Sequence, residues 1–394
     1  MESCDVVVIG AGVVGASVAF HLARLGAGKV VVLERNAIGN GTTSQSSGIL
    51  RTHYSVRENV ELARKSWDVF SRFAEYVEDA EASCGLVRCG YMIAAPDGAK
   101  AQALEASVAA QRGMGIAVEV VDRQAAHARL PIAHFDDAAL IAFEPDAGFA
   151  DPYLVTQAFA KAARRRGVVF REGVRADALV MQGGRVVGVE TSRGRLACAR
   201  VVSARNIWSR EMERDVGMAM PVTPERHIVL ALEASAPYTH SMPVFKDLAS
   251  PGMLYCRSYG GSQMLVSEGT AGETLAEPDI EQGPVSMEIV GDIGAQVAAR
   301  FPAYETAGLA TSWTGVYDVT PDWNPVLGRL PGIEGLVVGY GFSGHGFKLS
   351  PVVGRVLAQE ALGLPTDVSL APYSIERFHR GELLLGKYGS GALS

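Results

Sequence analysis

The first fifty residues alternate between apolar and polar stretches in a way that predicts regular structure. Residues 5–9 (DVVVI) and 29–34 (KVVVLE) are short apolar runs, typical of strands that are buried on both faces of a sheet. Between them, residues 16–26 (ASVAFHLARLG) show the spacing of an amphipathic helix. A polar loop rich in Gly, Ser and Thr follows at 36–48. The order strand, helix, strand predicts a βαβ unit with parallel strands.

Helical spacing returns later in the chain, separated by stretches of short strands. Asp151 and Pro152 suit the N-cap and the first position of one such helix, and Ser350 with Pro351 suits the start of the last. The predicted helices span residues 56–80, 98–114, 151–166, 284–301 and about 350–363. The predicted strands lie within 86–96, 167–204 and 221–270.

The order of these elements predicts how the domains are arranged. Gly183–Gly184 and Arg193–Gly194 are typical of tight hairpin turns, so the strands around them form an antiparallel sheet. A βαβ unit is thus followed by helices, strands, a helix, hairpins, further strands and a helix. The sequence predicts two interleaved domains, neither of them contiguous.

Composition and charge exclude several classes of protein. The chain has 394 residues and no uninterrupted apolar run of about 18 residues, so a membrane-spanning helix is not expected. The net charge is −7, and the basic run at 164–166 lies at the end of a predicted helix, so nucleic acid is not expected as a partner. The N-terminus lacks the pattern of a secretory signal, and the five scattered cysteines indicate reduced thiols. A cytoplasmic protein is expected.

Three glycines follow the first predicted strand. Gly10, Gly12 and Gly15 fit G-x-G-x-x-G, a pattern that allows a tight turn, close approach to a pyrophosphate, and close packing of helix on strand. The pyrophosphate then lies at the helix N-terminus, where unpaired N–H groups favour an anion. Glu34 ends the second strand, where a carboxylate accepts hydrogen bonds from a ribose diol and repels a 2′-phosphate. The unit predicts dinucleotide binding without distinguishing FAD from NAD.

A second cluster of glycines lies at 339–354 (GYGFSGHGFKLSPVVG), directly before the last predicted helix. Glycine weakens regular structure by roughly 0.5–1 kcal/mol per residue, so such a cluster is kept where φ is positive or where backbone lies against a large flat group. Taken alone, this stretch fits a surface turn as well as a ligand-binding loop.

Several segments occur in the order in which one family has them. The chain resembles the FAD-dependent D-amino-acid oxidase family, and is most similar to its sarcosine oxidase, dimethylglycine dehydrogenase and proline dehydrogenase β-subunit branch. The resemblance covers nearly the whole chain and is weakest at about 95–145 and 232–300. The segments that carry it are VVVIGAGVVGASVAFHLARLG, GTTSQSSGILR, DPYLVTQAFAKAARRRGV, WTGVYDVTPDWNPVLG and GYGFSGHGFKLSPVVGRVLAQ.

The resemblance implies an α/β fold with a Rossmann-like FAD-binding domain and an α+β substrate-binding domain on a mostly antiparallel sheet. It assigns residues 1–90, 146–220 and 310–394 to the first domain, and 91–145 and 221–309 to the second. The glycine-rich loop is then expected beside the isoalloxazine ring, with the N-terminus of the next helix stabilising the negative charge of reduced flavin. The residues expected to contact FAD are Gly10, Gly12, Val13, Val14, Gly15, Glu34, Arg35, Thr42, Thr43, Ser44, Ser46, Ser47, Gly48, Val174, Trp208, Gly315, Gly341, Gly344, His345, Gly346, Phe347 and Lys348.

The resemblance also implies four residues at the substrate. Arg51 matches an arginine that binds the substrate carboxylate, and a guanidinium does so with two parallel hydrogen bonds. Lys348 matches a second carboxylate contact, Tyr255 a substrate-facing aromatic residue, and His345 a residue that stacks near the flavin or polarises it. Each assignment has an alternative. Arg51 could form a surface ion pair, and Lys348 could be a solvated lysine at a helix start. Tyr255 could be a core tyrosine, and His345 a structural histidine.

Two departures from the family concern the flavin. Gly315 and Gln45 stand where some members attach the flavin covalently through Cys or His, so non-covalent FAD is expected. No lysine stands near Leu265, where sarcosine oxidases use one to activate oxygen. A cation there stabilises developing superoxide, so its absence favours a dehydrogenase over an oxidase.

Two further departures leave a residue's role open. The stretch 204–208 (ARNIW) replaces a small-Gly-small-Trp pattern and so puts a local contact to FAD in doubt. Glu268 stands where a small residue is common. It is either a surface carboxylate or a group that faces the substrate and favours a cationic amine.

The expected reaction is oxidation of the C–N bond of a small amino acid. Hydride transfer to flavin N5 gives an imine, which water hydrolyses, and orientation and electrostatics supply most of the catalysis. The leading substrate class is a secondary or tertiary amino acid, N-methylated or cyclic, and the acceptor is O2 or a redox partner. The alternatives are a primary amino acid, a 2-hydroxy acid, or a flavin-carrying subunit that is active only in a hetero-oligomer. A homo-oligomer and a non-catalytic FAD-binding protein also stay open.

Overall fold

The structure is a computed structural model. It describes residues 2–234, 241–260, 263–270, 272–279 and 284–386. Within the strand-rich stretch predicted at 221–270, positions 235–240 and 261–262 lie outside the described residues. The strands are β1 (Glu2–Ser3), β2 (Val6–Ile9), β3 (Val30–Leu33), β4 (Ile49–Leu50), β5 (Val87–Arg88), β6 (Tyr91–Ala95), β7 (Glu119–Val121), β8 (Leu140–Glu144), β9 (Gly148–Phe149), β10 (Val169–Arg171), β11 (Ala176–Gln182), β12 (Arg185–Thr191), β13 (Gly194–Ala197), β14 (Arg200–Ser203), β15 (Thr223–Glu233), β16 (Val244–Asp247), β17 (Tyr255–Tyr259), β18 (Gln263–Ser267), β19 (Glu273–Thr274), β20 (Gly308–Val319), β21 (Val326–Arg329) and β22 (Leu336–Tyr340).

The helices connect these strands and cover the sheets. They are α1 (Val13–Arg24), α2 (Arg57–Ser71), α3 (Phe73–Tyr76), α4 (Ala99–Gly113), α5 (Arg123–Arg129), α6 (Pro152–Arg165), α7 (Glu213–Val216), α8 (Met287–Arg300), α9 (Gly346–Leu362) and α10 (Glu376–Arg380). Short 3₁₀ helices lie at Gly41–Thr43, Asn206–Met212, Pro302–Tyr304 and Ala371–Tyr373. Asp151 caps α6 as predicted, because its Oδ1 accepts hydrogen bonds from Tyr153 N at 2.8 Å and Leu154 N at 3.1 Å.

The first sheet has the strand order β10-β3-β2-β14-β22-β21, parallel except for β21. Helices α1, α6 and α9 cover one face of this first sheet. A separate four-stranded sheet, in the order β1-β13-β12-β11, covers its other face. The central strands are apolar at successive positions because both faces are buried. Glycine permits the contact between α1 and α9, since a Cβ at Gly354 would overlap the Ser17 side chain. The βαβ prediction is confirmed.

The second sheet has the order β19-β15-β18-β17-β16-β6-β8-β7, with β20 also paired to β15, and it is mostly antiparallel. Its back face packs on α5 and α8 through Phe245, Leu254 and their neighbours. The opposite face, called the front face below, carries Lys246, Tyr255, Leu265 and Tyr317, as strand alternation and register require. The predicted α/β fold with an antiparallel second sheet is confirmed.

The two large sheets take their strands from different parts of the chain. Strands of the first sheet lie within 1–90, 146–220 and 310–394, and strands of the second lie within 91–145 and 221–309 except for β20. That strand pairs with β15 from Thr223↔Val319 to Glu233↔Gly308, so the second sheet continues to residue 319. A small further sheet joins β4, β9 and β5.

Two helix boundaries differ from the sequence predictions. The helix expected at 56–80 is interrupted at Arg72 and ends at Tyr76, and the buried rings of Phe70 and Phe73 stack across the break with centroids 6.4 Å apart. The last long helix begins at Gly346 rather than near 350, so Pro351 lies inside α9. Ser350 and Pro351 therefore do not start this helix. Pro351 removes one intrahelical hydrogen bond without ending the helix.

Candidate active site

An elongated cavity runs from the carboxyl ends of β2 and β3 to the N-terminus of α9 and the front face of the second sheet. In parallel sheets this edge is where ligands bind. Most residues expected to contact FAD line it: Gly10, Gly12, Val13, Val14, Gly15, Glu34, Arg35, Thr42, Thr43, Ser46, Ser47, Val174, Trp208, Gly315, Gly344, Gly346, Phe347 and Lys348.

Four residues of that expected set are not on the cavity wall, and each has another contact. Ser44 Oγ donates to Gly41 O at 2.8 Å. Gly48 lies so close to Ala150 O that a Cβ would overlap it. Gly341 N donates to Asp318 Oδ2 and His345 Nδ1 lies 3.1 Å from Tyr54 Oη. Their expected contacts to FAD stay predictions.

The glycine fingerprint at the start of α1 is built to receive an anion. Gly10 has φ +97°, and a Cβ there would lie 2.6 Å from Ala204 O. Val13 N donates to Thr43 Oγ1 at 3.1 Å, and the helical hydrogen bonds start with Ala16 N to Gly12 O. The N–H groups of Val14 and Gly15 therefore face the cavity as the unsatisfied donors of a helix N-terminus, which fits a pyrophosphate.

Glu34 lies at the end of β3 with its carboxylate almost fully buried. One oxygen accepts from Ala11 N and the other from Asn36 N, each at 2.8 Å. Because each carboxylate oxygen has two lone pairs, capacity remains for the hydroxyl groups of a ribose. The position and orientation of Glu34 fit the predicted role at the cavity.

The outer end of the cavity is covered by side chains from both parts of the fold. The Arg35 guanidinium lies 4.2 Å from the centroid of the Trp208 ring. Both residues bind Asp279, with Arg35 Nη2 donating at 2.7 Å and Trp208 Nε1 at 3.0 Å. Val174 lies beside them and donates its N–H to Glu34 O at 2.9 Å. This flat, partly aromatic end fits an adenine ring.

The stretch 204–208 keeps the backbone conformation that its missing glycine would favour. Asn206 has φ +53°, in the left-handed region that Asn tolerates better than most residues. Its side chain bonds to Thr42 Oγ1 at 2.8 Å, and its amide is oriented to donate to Asp318. Arg205 donates to Ala176 O and forms an ion pair with Glu211. The departure therefore preserves the turn and adds a link between two loops that line the cavity.

The two positions at which relatives would attach flavin covalently face each other. A Cβ at Gly315 would lie 3.3 Å from Gln45 Cβ. Gln45 is held in place because its Oε1 accepts from Val316 N at 3.0 Å and its carbonyl accepts from Trp313 Nε1 at 3.3 Å. Neither residue supplies a nucleophile, in keeping with the prediction of non-covalent FAD.

At the inner end, α9 directs its N-terminus into the cavity. Gly346, Phe347 and Lys348 form its first turn and line the wall, so their N–H groups have no intrahelical partner. Gly344 has φ +83° and lies against the Tyr317 ring, where a Cβ would come within 2.5 Å of a ring carbon. The loop therefore brings backbone and a helix N-terminus to a flat-walled space, which fits the flavin ring system.

Lys348 lines this inner end, and Arg51, which is not on the cavity wall, lies within electrostatic range of it. Arg51 is almost fully buried, donates to His53 O, and lies 4.3 Å from the Tyr54 ring centroid. Burial, together with the charge of Arg51, lowers the pKa of Lys348 well below its usual range. The same two causes, with the charge of Lys348, lower the pKa of His345, so this histidine is neutral. The site therefore concentrates basic side chains, and their burial disfavours their charged forms.

A buried carboxylate from the second sheet positions the Arg51 segment. Glu144 Oε1 accepts from Thr52 N at 2.7 Å and from Thr52 Oγ1 at 2.6 Å, and Oε2 accepts from His53 N at 3.2 Å. Burial raises the pKa of Glu144 to about 7, while these hydrogen bonds and Arg51 oppose the shift. Sequence reasoning missed Glu144, because nothing in its local pattern marks it as more than the end of a strand.

The front face of the second sheet supplies an aromatic wall. Tyr255 Oη lies 3.5 Å from Tyr317 Oη, and Tyr317 stacks on His227 with ring centroids 3.8 Å apart. Tyr317 lines the cavity. Lys246, also missed from the sequence, is the cross-strand partner of Tyr255. Tyr317 could have been found, since it lies in the WTGVYDVTPD segment that carries the resemblance.

Leu265 occupies the position at which the resemblance to sarcosine oxidases predicts an oxygen-activating lysine. Its cross-strand partner is Arg257, whose Nε donates to Ser47 O at 2.6 Å. Burial lowers the pKa of Arg257 to about 10, and the side chain stays charged at neutral pH. Glu268 is half-buried and accepts from Gln296 Nε2 at 3.1 Å, so it has a partner on α8.

Within the described ranges no helix is long and apolar enough to cross a bilayer, and no cluster of His, Cys, Asp or Glu fits a metal ion. The cysteines carry no disulfide and are free thiols. The donors along the cavity thus match a dinucleotide with an extended aromatic ring better than a metal centre.

Comparisons with known proteins agree with this geometry. Over 378 residues the chain is 27% identical to 4-methylaminobutanoate oxidase (formaldehyde-forming) of Paenarthrobacter nicotinovorans, covering 94% of this chain and 45% of that protein. This chain therefore spans less than half the length of that relative. It is 27% identical to sarcosine oxidase subunit beta of Rhizobium meliloti (strain 1021), over 98% of this chain and 91% of that subunit.

Among solved structures, L-proline dehydrogenase from P. horikoshii has a TM-score of 0.88 at 25% identity, covering 97% of this chain and 99% of the other. The family model for FAD dependent oxidoreductases (DAO) matches residues 5–360. The resemblance stated from the sequence and the FAD cofactor are confirmed. The chain belongs to the DAO family of FAD-dependent oxidoreductases.

Proposed function

We propose that the protein oxidises the C–N bond of a small secondary or tertiary amino acid, either N-methylated or cyclic. The observation that carries this proposal is that Arg51, which is almost fully buried, lies within electrostatic range of Lys348, a residue of the inner end of the FAD cavity. A buried guanidinium and a lysine form a receptor for a carboxylate, because charge-assisted hydrogen bonds are strong where water is excluded. A bound carboxylate would favour the ammonium form of Lys348, which burial and Arg51 otherwise disfavour.

The side chains of the site bind and orient more than they transfer protons. Bound FAD supplies a hydride acceptor. Arg51 and Lys348 hold the carboxylate, and Tyr255 with Tyr317 forms the wall on which the rest of the substrate packs. His345 stays neutral beside Tyr54 and so adds no further charge. Fixing a reacting C–H bond in one orientation contributes much of the rate enhancement in such a site.

The names of the relatives support the substrate class. They refer to 4-methylaminobutanoate, sarcosine and L-proline, which are all secondary amines with a carboxylate. A primary amino acid is the next candidate, because glycine oxidase from Geobacillus kaustophilus has a TM-score of 0.84 to this chain at 25% identity.

A second candidate is a flavin-carrying subunit that works inside a hetero-oligomer. It is favoured by the match to sarcosine oxidase subunit beta, which this chain covers over 91% of its length. In that case the isolated chain would bind FAD stoichiometrically and turn over slowly until its partner subunits are added.

For the electron acceptor we propose a redox partner rather than O2. Leu265 provides no charge, and Arg257 beside it is engaged by Ser47 O. The reduced protein should therefore return to the oxidised state slowly in air.

The test is an anaerobic absorbance experiment with a panel of N-methyl, N,N-dimethyl, cyclic and primary amino acids and 2-hydroxy acids. Loss of the flavin band with secondary or tertiary amino acids is the expected result. Bleaching by hydroxy acids and by no amine would overturn the proposal. Air admitted at the end separates a fast oxidase from a slow dehydrogenase.

Arg51→Lys tests the carboxylate receptor directly. The variant keeps a charge but loses the two-pronged geometry, so KM should rise about 10- to 100-fold for a carboxylate substrate. Arg88→Met is the matched control, because Arg88 is exposed and lies on the Trp67 ring outside the site. An unchanged KM in Arg51→Lys would remove Arg51 from the site.

A further inference from the structure

Lys246 is a buried cation on the front face of the second sheet. It pairs across β16 and β17 with Tyr255, so both side chains point to the same side of the sheet. Its neighbours along the strand, Phe245 and Asp247, point to the back face, where Phe245 packs in the core and Asp247 binds Arg300. The ammonium of Lys246 therefore lies on the substrate side of the sheet.

The surroundings of the ammonium leave part of its hydrogen-bonding capacity unused. Lys246 Nζ donates to Met253 O at 2.6 Å and lies 5.6 Å from the centroid of the Tyr255 ring. The absence of a side chain at Gly269 makes room for it, since a Cβ there would overlap Nζ. An ammonium has three N–H donors, so Lys246 can bind a further acceptor.

No carboxylate in the described ranges forms an ion pair with Lys246. Asp247, the adjacent acid, is turned away and engaged by Arg300 at 2.9 Å. Burial and the charge of Arg51 lower the pKa of Lys246 to about 7, as expected for a cation that lacks a counter-ion. A buried lysine of this kind costs stability, and a bound anion would offset that cost.

The charges of the site exceed what one substrate carboxylate needs. Arg51 and Lys348 already form its receptor, and Glu144 is engaged by Thr52 and His53 rather than by Lys246. Lys246 is a third basic group within electrostatic range of Arg51, and a bound carboxylate would favour its protonated form. A second anionic group on the substrate would occupy it.

We infer that the substrate is a dicarboxylic amino acid, whose distal carboxylate binds Lys246 while its α-carboxylate binds Arg51 and Lys348. This inference rests on the proposed function and narrows its substrate class. Lys246 thus determines specificity: it selects amino acids with an acidic side chain or an acidic N-substituent over those with an apolar one.

Binding of unreactive carboxylates tests the inference without turnover. The FAD-loaded protein is titrated calorimetrically with succinate and with butyrate, which have four carbons each and differ by one carboxylate. Succinate should bind on the order of 10- to 100-fold more tightly, as for a charge-assisted hydrogen bond in a buried site. Equal affinities in the wild type would overturn the inference.

Two variants assign the preference to this residue. Lys246→Met keeps the length of the side chain and removes the charge, so the preference for succinate should disappear while butyrate binds as before. Lys100→Met is the control, because Lys100 is exposed and donates to Leu248 O in the same loop region outside the site. A succinate preference that persists in Lys246→Met would place the second carboxylate elsewhere and overturn the assignment.

Turnover gives a second readout. N-methylaspartate and N-methylglutamate should bleach the flavin at lower concentrations than sarcosine and N-methylalanine, and Lys246→Met should raise KM only for the first pair. Equal losses of kcat for both pairs would instead give Lys246 a role in the reaction of the amine and overturn the inference. The amine panel decides the proposed function, and the succinate comparison decides the inference, so the two failures are distinguishable.

Discussion

Asp318 Oδ2 accepts a hydrogen bond from Gly341 N at 2.5 Å, directly beneath the glycine-rich loop that faces the cavity. The same carboxylate accepts from Phe342 N at 2.9 Å and from Ser343 N at 3.3 Å. Asp318 is the penultimate residue of β20 of the second sheet, whereas Gly341 follows β22 of the first. One side chain therefore holds the loop in the conformation that places Gly344 and the start of α9 on the cavity wall.

Asp318→Ala should destabilise the protein and weaken FAD retention together. The variant leaves the buried N–H groups of Gly341 and Phe342 without their acceptor, which costs about 1–3 kcal/mol per group that finds no water. Ser343 N keeps the Asp318 carbonyl as an acceptor at 3.3 Å. Urea unfolding and the ratio of flavin to protein absorbance after gel filtration measure the two effects. Asp318→Asn, which keeps one acceptor oxygen, should fall between the wild type and Asp318→Ala. An alanine variant that keeps both its stability and its flavin would contradict this role.

Gly344→Ala should impair the cavity more than it impairs the fold. Its φ of +83° strains any side chain, and the new Cβ would press on the Tyr317 ring. Gly183→Ala is the matched control, because Gly183 has φ +57° and nothing within 4 Å of the added carbon. Both variants should lose about 1 kcal/mol or more in the free energy of unfolding. A rise in the Kd for FAD is expected for Gly344→Ala alone, measured by quenching of flavin fluorescence on binding.

Two substitutions of Asn206 distinguish its two structural roles, which are a left-handed backbone conformation and a hydrogen bond from its side chain. Asn206→Gly keeps the backbone conformation but loses the hydrogen bond to Thr42 Oγ1. Asn206→Ala loses that bond and also strains the turn at φ +53°, so it should be the less stable variant by about 1 kcal/mol. Thermal unfolding of the two FAD-loaded variants measures the difference. If the alanine variant were the more stable one, backbone conformation would not be the constraint at this position.

Lys246 should give the stability of the protein a distinctive pH dependence. Its pKa is about 7 in the folded protein and about 10.4 when unfolded, so between these values only the unfolded state holds the proton. The free energy of unfolding contributed by this group therefore rises with pH, by up to about 1.4 kcal/mol per unit. Comparison of wild type and Lys246→Met by urea unfolding between pH 7 and 9.5 measures it. Parallel curves for wild type and Lys246→Met would refute the prediction.

The sequence was most informative where a motif is local. Gly10, Gly12, Gly15 and Glu34 lie within one βαβ unit, and the structure brings all four to one end of the cavity. The cap at Asp151 and the hairpin at 183–184 were predicted for the same reason, because the physics of a cap or a turn is contained in a few consecutive residues.

Residues that reach the site through sheet register could not be predicted in this way. Lys246 belongs to the front face only because β16 pairs with β17 in the register that sets it against Tyr255. Glu144 reaches the Arg51 segment across 92 residues of sequence. The start of α9 was misplaced because Ser350 and Pro351 look like a helix start, whereas the helix already begins at Gly346.

The path of the chain between the two sheets limits how this protein can be divided. The chain leaves the first sheet after β3, returns at β10, leaves again after β14 and returns once more at β21. No single cut separates the two sheets, and β20 with Asp318 joins the glycine-rich loop to the second sheet at its last crossing. Segments that form the cofactor cavity thus alternate along the chain with segments that form the substrate wall, and neither set can be replaced as one contiguous piece. New substrate specificity has to arise by substitutions on the front face, since exchange of a contiguous module would disrupt both sheets.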